Sequence, residues 1–269
     1  MIYKKLSNGI EIPMIGFGTF KIPDDQAAET VKNAIAAGYR HIDTAAIYRN
    51  EVGVGKGIKE SHINRNEIFL TTKCWNDDQG YDKTLHAFEQ SCQRLQTDYI
   101  DLYLIHWPKP LNCETWRAME ELYLQGRVKA IGVSNFHQHH FEELMKTARI
   151  KPMVNQVEYT PRLTQKPLKT FLDNEGVAME SWSPLMRGKV LNIELLNKLS
   201  ERYGKSVAQL VIRWNIDTDV IVIPKSVTLQ RIKENIDVFD FHISKDDIEA
   251  INRLNKDLRT GPDPDNFDF

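Results

Sequence analysis

The chain has 269 residues, 41% hydrophobic and 27% charged, enough for a large core and within reach of one α/β barrel domain spanning 1–269. Thirty-five basic against thirty-seven acidic side chains leave a formal charge of −2, which gives no reason to expect nucleic acid or an anionic membrane surface as a partner. Three cysteines (Cys74, Cys92 and Cys113) form no C-x-x-C pair or disulfide framework, the apolar runs fall short of the ~20 residues that span a bilayer, and "MIYKKLSNGIEIP" lacks a signal peptide's apolar stretch, so a soluble, cytoplasmic protein is expected.

The beginning reads as a β-hairpin, with Asn8-Gly9 favouring a tight type I′ turn. Strand-like segments then follow at Ile15–Phe20, Arg40–Thr44, Ile68–Lys73, Asp101–His106, Ala130–Ser134, Val154–Glu158, Ala178–Ser181 and Val220–Ile223. Helical spacing of apolar residues marks Asp25–Ala37, Tyr81–Leu95, Glu114–Gln125, Phe141–Ala148 and Leu168–Asn174 between them. Strand starts recur roughly every 25 to 32 residues, as in repeated βα units. The last interval holds two further helical stretches, Leu191–Tyr203 and Val207–Ile216, and Ser244 with Asp247 caps a final helix to Leu254. Eight β/α units in this length predict a (β/α)8 TIM barrel with extra helices late in the chain. "GVGKGIKE" at Gly53–Glu60 has neither G-x-G-x-x-G nor G-x-x-x-x-G-K-[ST] spacing. It reads as a helix packed closely on a neighbour. The tail "LRTGPDPDNFDF" is irregular and is expected to fold back over one mouth of the barrel.

Barrel active sites lie at the C-terminal ends of the strands. There the sequence places Asp43 and Tyr48, Lys73, His106, Ser134-Asn135, Asn155-Gln156, Trp182-Ser183 and Lys225-Ser226. A buried lysine needs a counter-charge, which Asp43 can give Lys73. An ammonium near a phenol lowers its pKa from ~10 and makes Tyr48 a better proton donor. His106 can orient a substrate carbonyl. Together these suit carbonyl reduction. Each residue alone also has an ordinary reading: Asp43 as a cap, Tyr48 as packing, Lys73 as a surface residue, His106 as a core histidine. Asn50-Glu51, just past Tyr48, is expected to cap and support the turn.

Several segments, in order, resemble the aldo-keto reductase superfamily over nearly the whole chain: "GYRHIDTAAIYRNEVGVG", "LIHWP", "GVSNF", "NQVEY", "SWSPL" and "IPKSVTLQRIKEN". The short connection after His106 and the "GPDPDNF" tail look like the compact bacterial diketogluconate and glyoxal/methylglyoxal reductases, a group usually monomeric. The resemblance implies that Tyr48 is the general acid, that Asp43 and Lys73 tune it, and that His106 orients the carbonyl. It implies NADPH as cofactor. Gly18 and Thr19 would lie against it, Ser134, Asn135 and Gln156 would bind its carboxamide, Trp182 would stack on the nicotinamide, and Ser183 and Leu185 would approach the pyrophosphate. Lys225, Ser226, Val227, Thr228 and Arg231 would receive the 2′-phosphate end, where two cations and a hydroxyl suit a dianion. Glu234 and Asn235 match adenine contacts. Phe20, Trp75, Trp107 and Met186 would form the substrate pocket with the tail near Phe267.

The remaining signals are weaker. "GVSNF" lacks the last glycine of a nucleophile elbow. "HQHH" at His137–His140 admits a metal site, but a solvated helix start is preferred and no metal is expected. The alternative to an enzyme is a non-catalytic NADPH-binding or regulatory protein on the same fold. An aldolase or isomerase barrel is a poorer fit.

Overall fold

The computed structural model describes residues 1–269. β1 (Tyr3–Lys5) and β2 (Glu11–Pro13) form an antiparallel hairpin with Lys4 opposite Ile12. Its turn is not the expected type I′. Leu6 N donates to Ile10 O at 2.8 Å and Gly9 N to Leu6 O at 2.9 Å. Only Gly9 takes a positive φ, 88°. Asn8 donates its amide to Lys129 O at 2.9 Å, tying the hairpin to the barrel, while its Oδ1 accepts from Ile10 N at 3.1 Å within the turn.

Eight parallel strands follow: β3 (Phe17–Gly18), β4 (His41–Asp43), β5 (Phe69–Cys74), β6 (Ile100–Ile105), β7 (Val128–Ser134), β8 (Val154–Glu158), β9 (Ala178–Trp182) and β10 (Ile221–Ile223). Each pairs with the next in chain order. Gly16 N donates to Val222 O and Val222 N to Met14 O, both at 2.9 Å, and Gly18 N to Pro224 O at 3.1 Å. These bonds join the last strand to the first and close a (β/α)8 barrel. The eight expected strands are all present.

The helices are α1 (Asp24–Ala36), α2 (Glu51–Glu60), α3 (Tyr81–Leu95), α4 (Asn112–Leu124), α5 (Gln138–Met145), α6 (Lys166–Glu175), α7 (Glu194–Tyr203), α8 (Val207–Asp217), α9 (Leu229–Ile236) and α10 (Lys245–Asn252). None is long and apolar enough to cross a membrane. The stretch expected to be helical from Leu191 starts later. Residues Met186–Asn192 form 3-10 turns broken by left-handed Arg187 (φ 55°) and Gly188 (φ 89°), and α7 begins only at Glu194. Ser244 does cap α10, its hydroxyl accepting from Asp247 N at 3.2 Å.

The glycines of α2 let it lie close between α1 and α3. A Cβ on Gly53 would stand 2.4 Å from Asp24 O, one on Gly55 2.5 Å from Leu95 O, and one on Gly57 2.6 Å from Ala28 O. Asn50 precedes α2 but does not cap it. Its buried amide accepts from Thr44 Oγ1 at 2.8 Å and donates to Thr19 O and Ile22 O at 2.9 Å. Glu51 is buried as well, accepting from Thr72 Oγ1 and Arg94 Nε, each at 2.7 Å. The pair braces the ends of β3, β4 and β5 against α3. Gly55→Ala must move backbone apart, so a loss of about 1–3 kcal/mol is expected in urea unfolding.

Candidate active site

Asp43 ends β4 and Lys73 is the penultimate residue of the neighbouring β5. Both point into the barrel and both are buried. Lys73 Nζ donates to the two oxygens of Asp43 at 2.7 and 2.8 Å and to Thr44 O at 2.9 Å. All three ammonium donors thus have partners, the condition for burying such a pair. Burial is the largest single effect and works against the Lys73 charge, but the charge and hydrogen bond of Asp43, with Tyr48 and Glu180 beside it, together hold the ammonium above its usual range.

Tyr48 ends the 3-10 turn Ala46–Tyr48 that follows β4. Its ring centroid is 5.2 Å from Lys73 Nζ and 5.7 Å from the His106 ring. His106 follows β6; burial and the Lys73 charge push its pKa well down, so it is a neutral imidazole. Its ring makes no hydrogen bond, and its buried Nδ1 has no partner. The expected lowering of the Tyr48 pKa does not hold. Lys73 pulls it down, but burial is the larger effect and Asp43 and Glu180 add to it, so the phenol stands above its ordinary value. Tyr48 therefore keeps its proton at neutral pH.

The residues expected to hold a nicotinamide are knitted together. Ser134 Oγ donates to Gln156 O at 2.8 Å. Asn135, left-handed at φ 65°, donates to His106 O at 2.9 Å and accepts from Trp182 Nε1 at 2.8 Å. It therefore fixes both the imidazole strand end and the Trp182 ring. Gln156 Nε2 donates to Asp43 Oδ2 and to Glu180 Oε2, each at 2.8 Å, leaving its carbonyl oxygen uncommitted. Gly18 lies where a Cβ would meet Ile223 O at 3.1 Å. The Thr19 hydroxyl is engaged by Asp43 O at 2.9 Å. Ser183 is left-handed (φ 54°) and half-buried, while the Leu185 side chain packs on the core. Beyond β10, Lys225, Val227, Thr228 and Arg231 are exposed, Ser226 and Asn235 are buried and Glu234 is half-buried. Ser226 Oγ accepts from Thr228 N at 3.1 Å, just before α9.

Aromatic side chains ring the mouth. Phe20 is 5.0 Å from the Tyr48 ring and Trp75 5.1 Å from the His106 ring. The tail crosses here as expected. Phe269 stacks on Trp75 at 5.8 Å, and Phe267 packs on Trp107 at 4.9 Å. Glu158 anchors the tail, accepting from Thr260 N at 2.7 Å and Gly261 N at 3.1 Å. Gly261 has no room for a Cβ, which would meet the Trp182 ring at 2.4 Å. Met186, expected in the pocket, is instead 2% exposed within the apolar core, because the left-handed turn at Met186 and Arg187 tucks it under the loop.

Comparison with known proteins places the chain in a family. The sequence profile of the aldo/keto reductase family matches residues 14–256. The chain belongs to that family. It is 56% identical to the glyoxal reductase of Bacillus subtilis over 98% of this chain and 97% of that protein. With the methylglyoxal reductase of Escherichia coli it shares 43% identity over 98% and 97%. A crystal structure of a Gox0644 mutant in complex with NADPH superposes with a TM-score of 0.95 at 46% identity, over 100% of this chain and 99% of that one.

One residue of this reductase site went unnoticed in the sequence. Glu180, in the middle of β9, is fully buried beneath Asp43. It shares Gln156 with Asp43 and lies 3.6 Å from His41 Nε2. Burial and the Asp43 charge push its pKa up to about 8, and burial pushes His41 down to about 3. Both are therefore neutral at pH 7. An acid in the apolar segment "VAMESW" was the available signal. A carboxyl held protonated when folded, but ionised when unfolded, makes stability fall as pH rises between those two pKa values. Wild-type stability relative to Glu180→Gln is thus expected to decline from about pH 4.5 to about pH 8. Urea unfolding of both proteins across that window checks it; parallel curves would contradict a buried neutral acid.

Proposed function

We propose that the protein is an NADPH-dependent reductase of aldehydes and ketones, with small dicarbonyls and aromatic or sugar-derived carbonyls as substrates. One observation carries this reading: a protonated Tyr48 and a neutral His106 face the same mouth above a buried Asp43–Lys73 pair. When bound, the nicotinamide supplies the hydride. Tyr48 supplies the proton to the carbonyl oxygen, and Lys73 stabilises the phenolate as it forms. A fixed charge aimed at where charge develops needs no reorganisation during the reaction. The raised Tyr48 pKa suits a donor that parts with its proton only when the substrate oxygen becomes basic. His106, uncharged and unbonded, orients the carbonyl.

The residues present fit the cofactor. Trp182 offers a ring face held by Asn135, and Gln156 an uncommitted carbonyl for a carboxamide. Lys225 and Arg231 are exposed and neither pairs with a carboxylate. With Ser226 at the start of α9 they suit a dianionic phosphate, which favours NADPH over NADH. The relatives named as glyoxal and methylglyoxal reductases support small dicarbonyls, and the aromatic rim supports carbonyls with apolar surface.

Tyr48→Phe is expected to bind NADPH normally, by fluorescence titration, and to lose most of its kcat on methylglyoxal. A near-wild-type kcat would overturn the mechanism, whereas cofactor binding without turnover on any carbonyl by the wild type would favour a non-catalytic role. Arg231→Ala should lower kcat/KM for NADPH by about 5–150-fold, as for loss of a charge-assisted bond worth about 1–3 kcal/mol, and leave that for NADH unchanged. Equal wild-type efficiency with both would remove the case for a phosphate-reading site.

A further inference from the structure

One cluster of metal-ligating side chains lies outside the mouth. His137 precedes α5, His139 and His140 lie in its first turn, and Asp265 reaches them from the tail. His137 Nδ1 is 2.8 Å from Asp265 Oδ2, while His139 Nε2 and His140 Nε2 are 3.0 and 3.3 Å from Asp265 Oδ1. One ligand atom from each of the four residues lies within 4.8 Å of all the others. Tetrahedral zinc with bonds of ~2.0–2.1 Å sets its ligands roughly 3.4 Å apart. Small inward movements would bring these atoms to that spacing.

The histidines do stand at a helix start, where His140 Nδ1 accepts from His137 N at 3.2 Å, but that contact does not involve His139 or Asp265. His139 and His140 rings are only 4.0 Å apart, centroid to centroid, which is unfavourable if both are charged. Three imidazoles with one carboxylate suit a borderline cation such as Zn²⁺ better than Mg²⁺ or Ca²⁺, which take oxygen ligands.

We infer that His137, His139, His140 and Asp265 bind a divalent transition-metal ion, with Zn²⁺ the best match, and that the ion fastens the C-terminal tail to the start of α5. Occupancy has a cost the structure makes explicit. A metal-bound neutral imidazole carries its proton on the other ring nitrogen. His137 Nε2 now accepts from Arg259 Nη2 at 2.9 Å, and His140 Nδ1 from His137 N at 3.2 Å. Both bonds must break. Arg259 has Asp263 within 3.6 Å to turn to; the backbone N–H turns to water. Micromolar rather than nanomolar affinity follows. Asp265 is two residues before Phe267 and four before Phe269, which pack on Trp107 and Trp75. The ion would thus restrain one wall of the mouth; this consequence for substrate rests on the reductase reading, whereas binding itself does not.

The test uses the full chain stripped of metal by a chelator. Calorimetric titration with zinc chloride should show one micromolar site per chain. Zinc should also raise Tm and slow carboxypeptidase removal of Phe269. His139→Ala, at the most exposed of the three imidazoles, and Asp265→Asn should each weaken binding at least about tenfold. With wild type, zinc should change KM for methylglyoxal more than kcat. No binding at millimolar zinc, or binding that both variants leave unchanged, overturns the site. Binding at the cluster without slower digestion overturns the tail-fastening role. If zinc binds and protects the tail while no carbonyl is reduced, the metal site stands and the reductase reading fails.

Discussion

The closed ion pair between Asp43 and Lys73 sets the terms for the rest of the mouth. Two opposite charges lie buried inside the barrel, away from water, and each needs the other. Removing one partner would leave an uncompensated buried charge, a cost of about 3–5 kcal/mol. The pair also sets the protonation of its neighbours. The Lys73 ammonium helps to keep His106 uncharged, and the Asp43 carboxylate helps to keep Glu180 protonated. Gln156 stands between the two carboxyls, and its single amide nitrogen serves both. The result is a column in which one ion pair, Lys73 with Asp43, is followed by the uncharged Gln156 and Glu180.

That column requires strand ends that do not shift, and the bracing comes from outside the barrel. Asn50 ties the segment after β4 to the loop after β3. Glu51 joins β5 to α3 through Thr72 and Arg94. α2 approaches so closely that three of its positions have no room for a Cβ. On the far side Asn135 holds Trp182, and Glu158 holds the tail across it. Asn50 reaches two backbone carbonyls and Glu158 a backbone N–H, while Glu51 and Asn135 are held here by side chains; locked supporting partners of this kind position a site.

Much of this was legible in the sequence, for a definite reason. The strands are buried runs with helical periodicity between them, and that pattern leaves few topologies besides a barrel. Since barrel sites gather at one end, the last residue of each strand named Asp43, Lys73, His106, Asn135 and Gln156 as companions. Other features depended on what comes close from afar. Asn50 looked like a cap, yet its partners are carbonyls 28 and 31 residues away. Met186 looked like pocket lining until a left-handed turn put it in the core. At Asn8 the turn took another form, and the side chain bonds both within it, to Ile10 N, and to Lys129 O, distant in the chain.

The sequence by itself determined the barrel, the eight strands and the residues that meet at the mouth, because periodicity and strand-end position are local properties. It did not determine how those residues are charged. A phenol beside an ammonium suggests a lowered pKa, but only the packed structure shows that burial outweighs that pull at Tyr48. Only the structure also brings Glu180 under Asp43, Phe269 onto Trp75, and Asp265 onto three histidines more than a hundred residues before it. Desolvation and long-range contact depend on what fills the space around a group, and that is fixed only when the chain has closed.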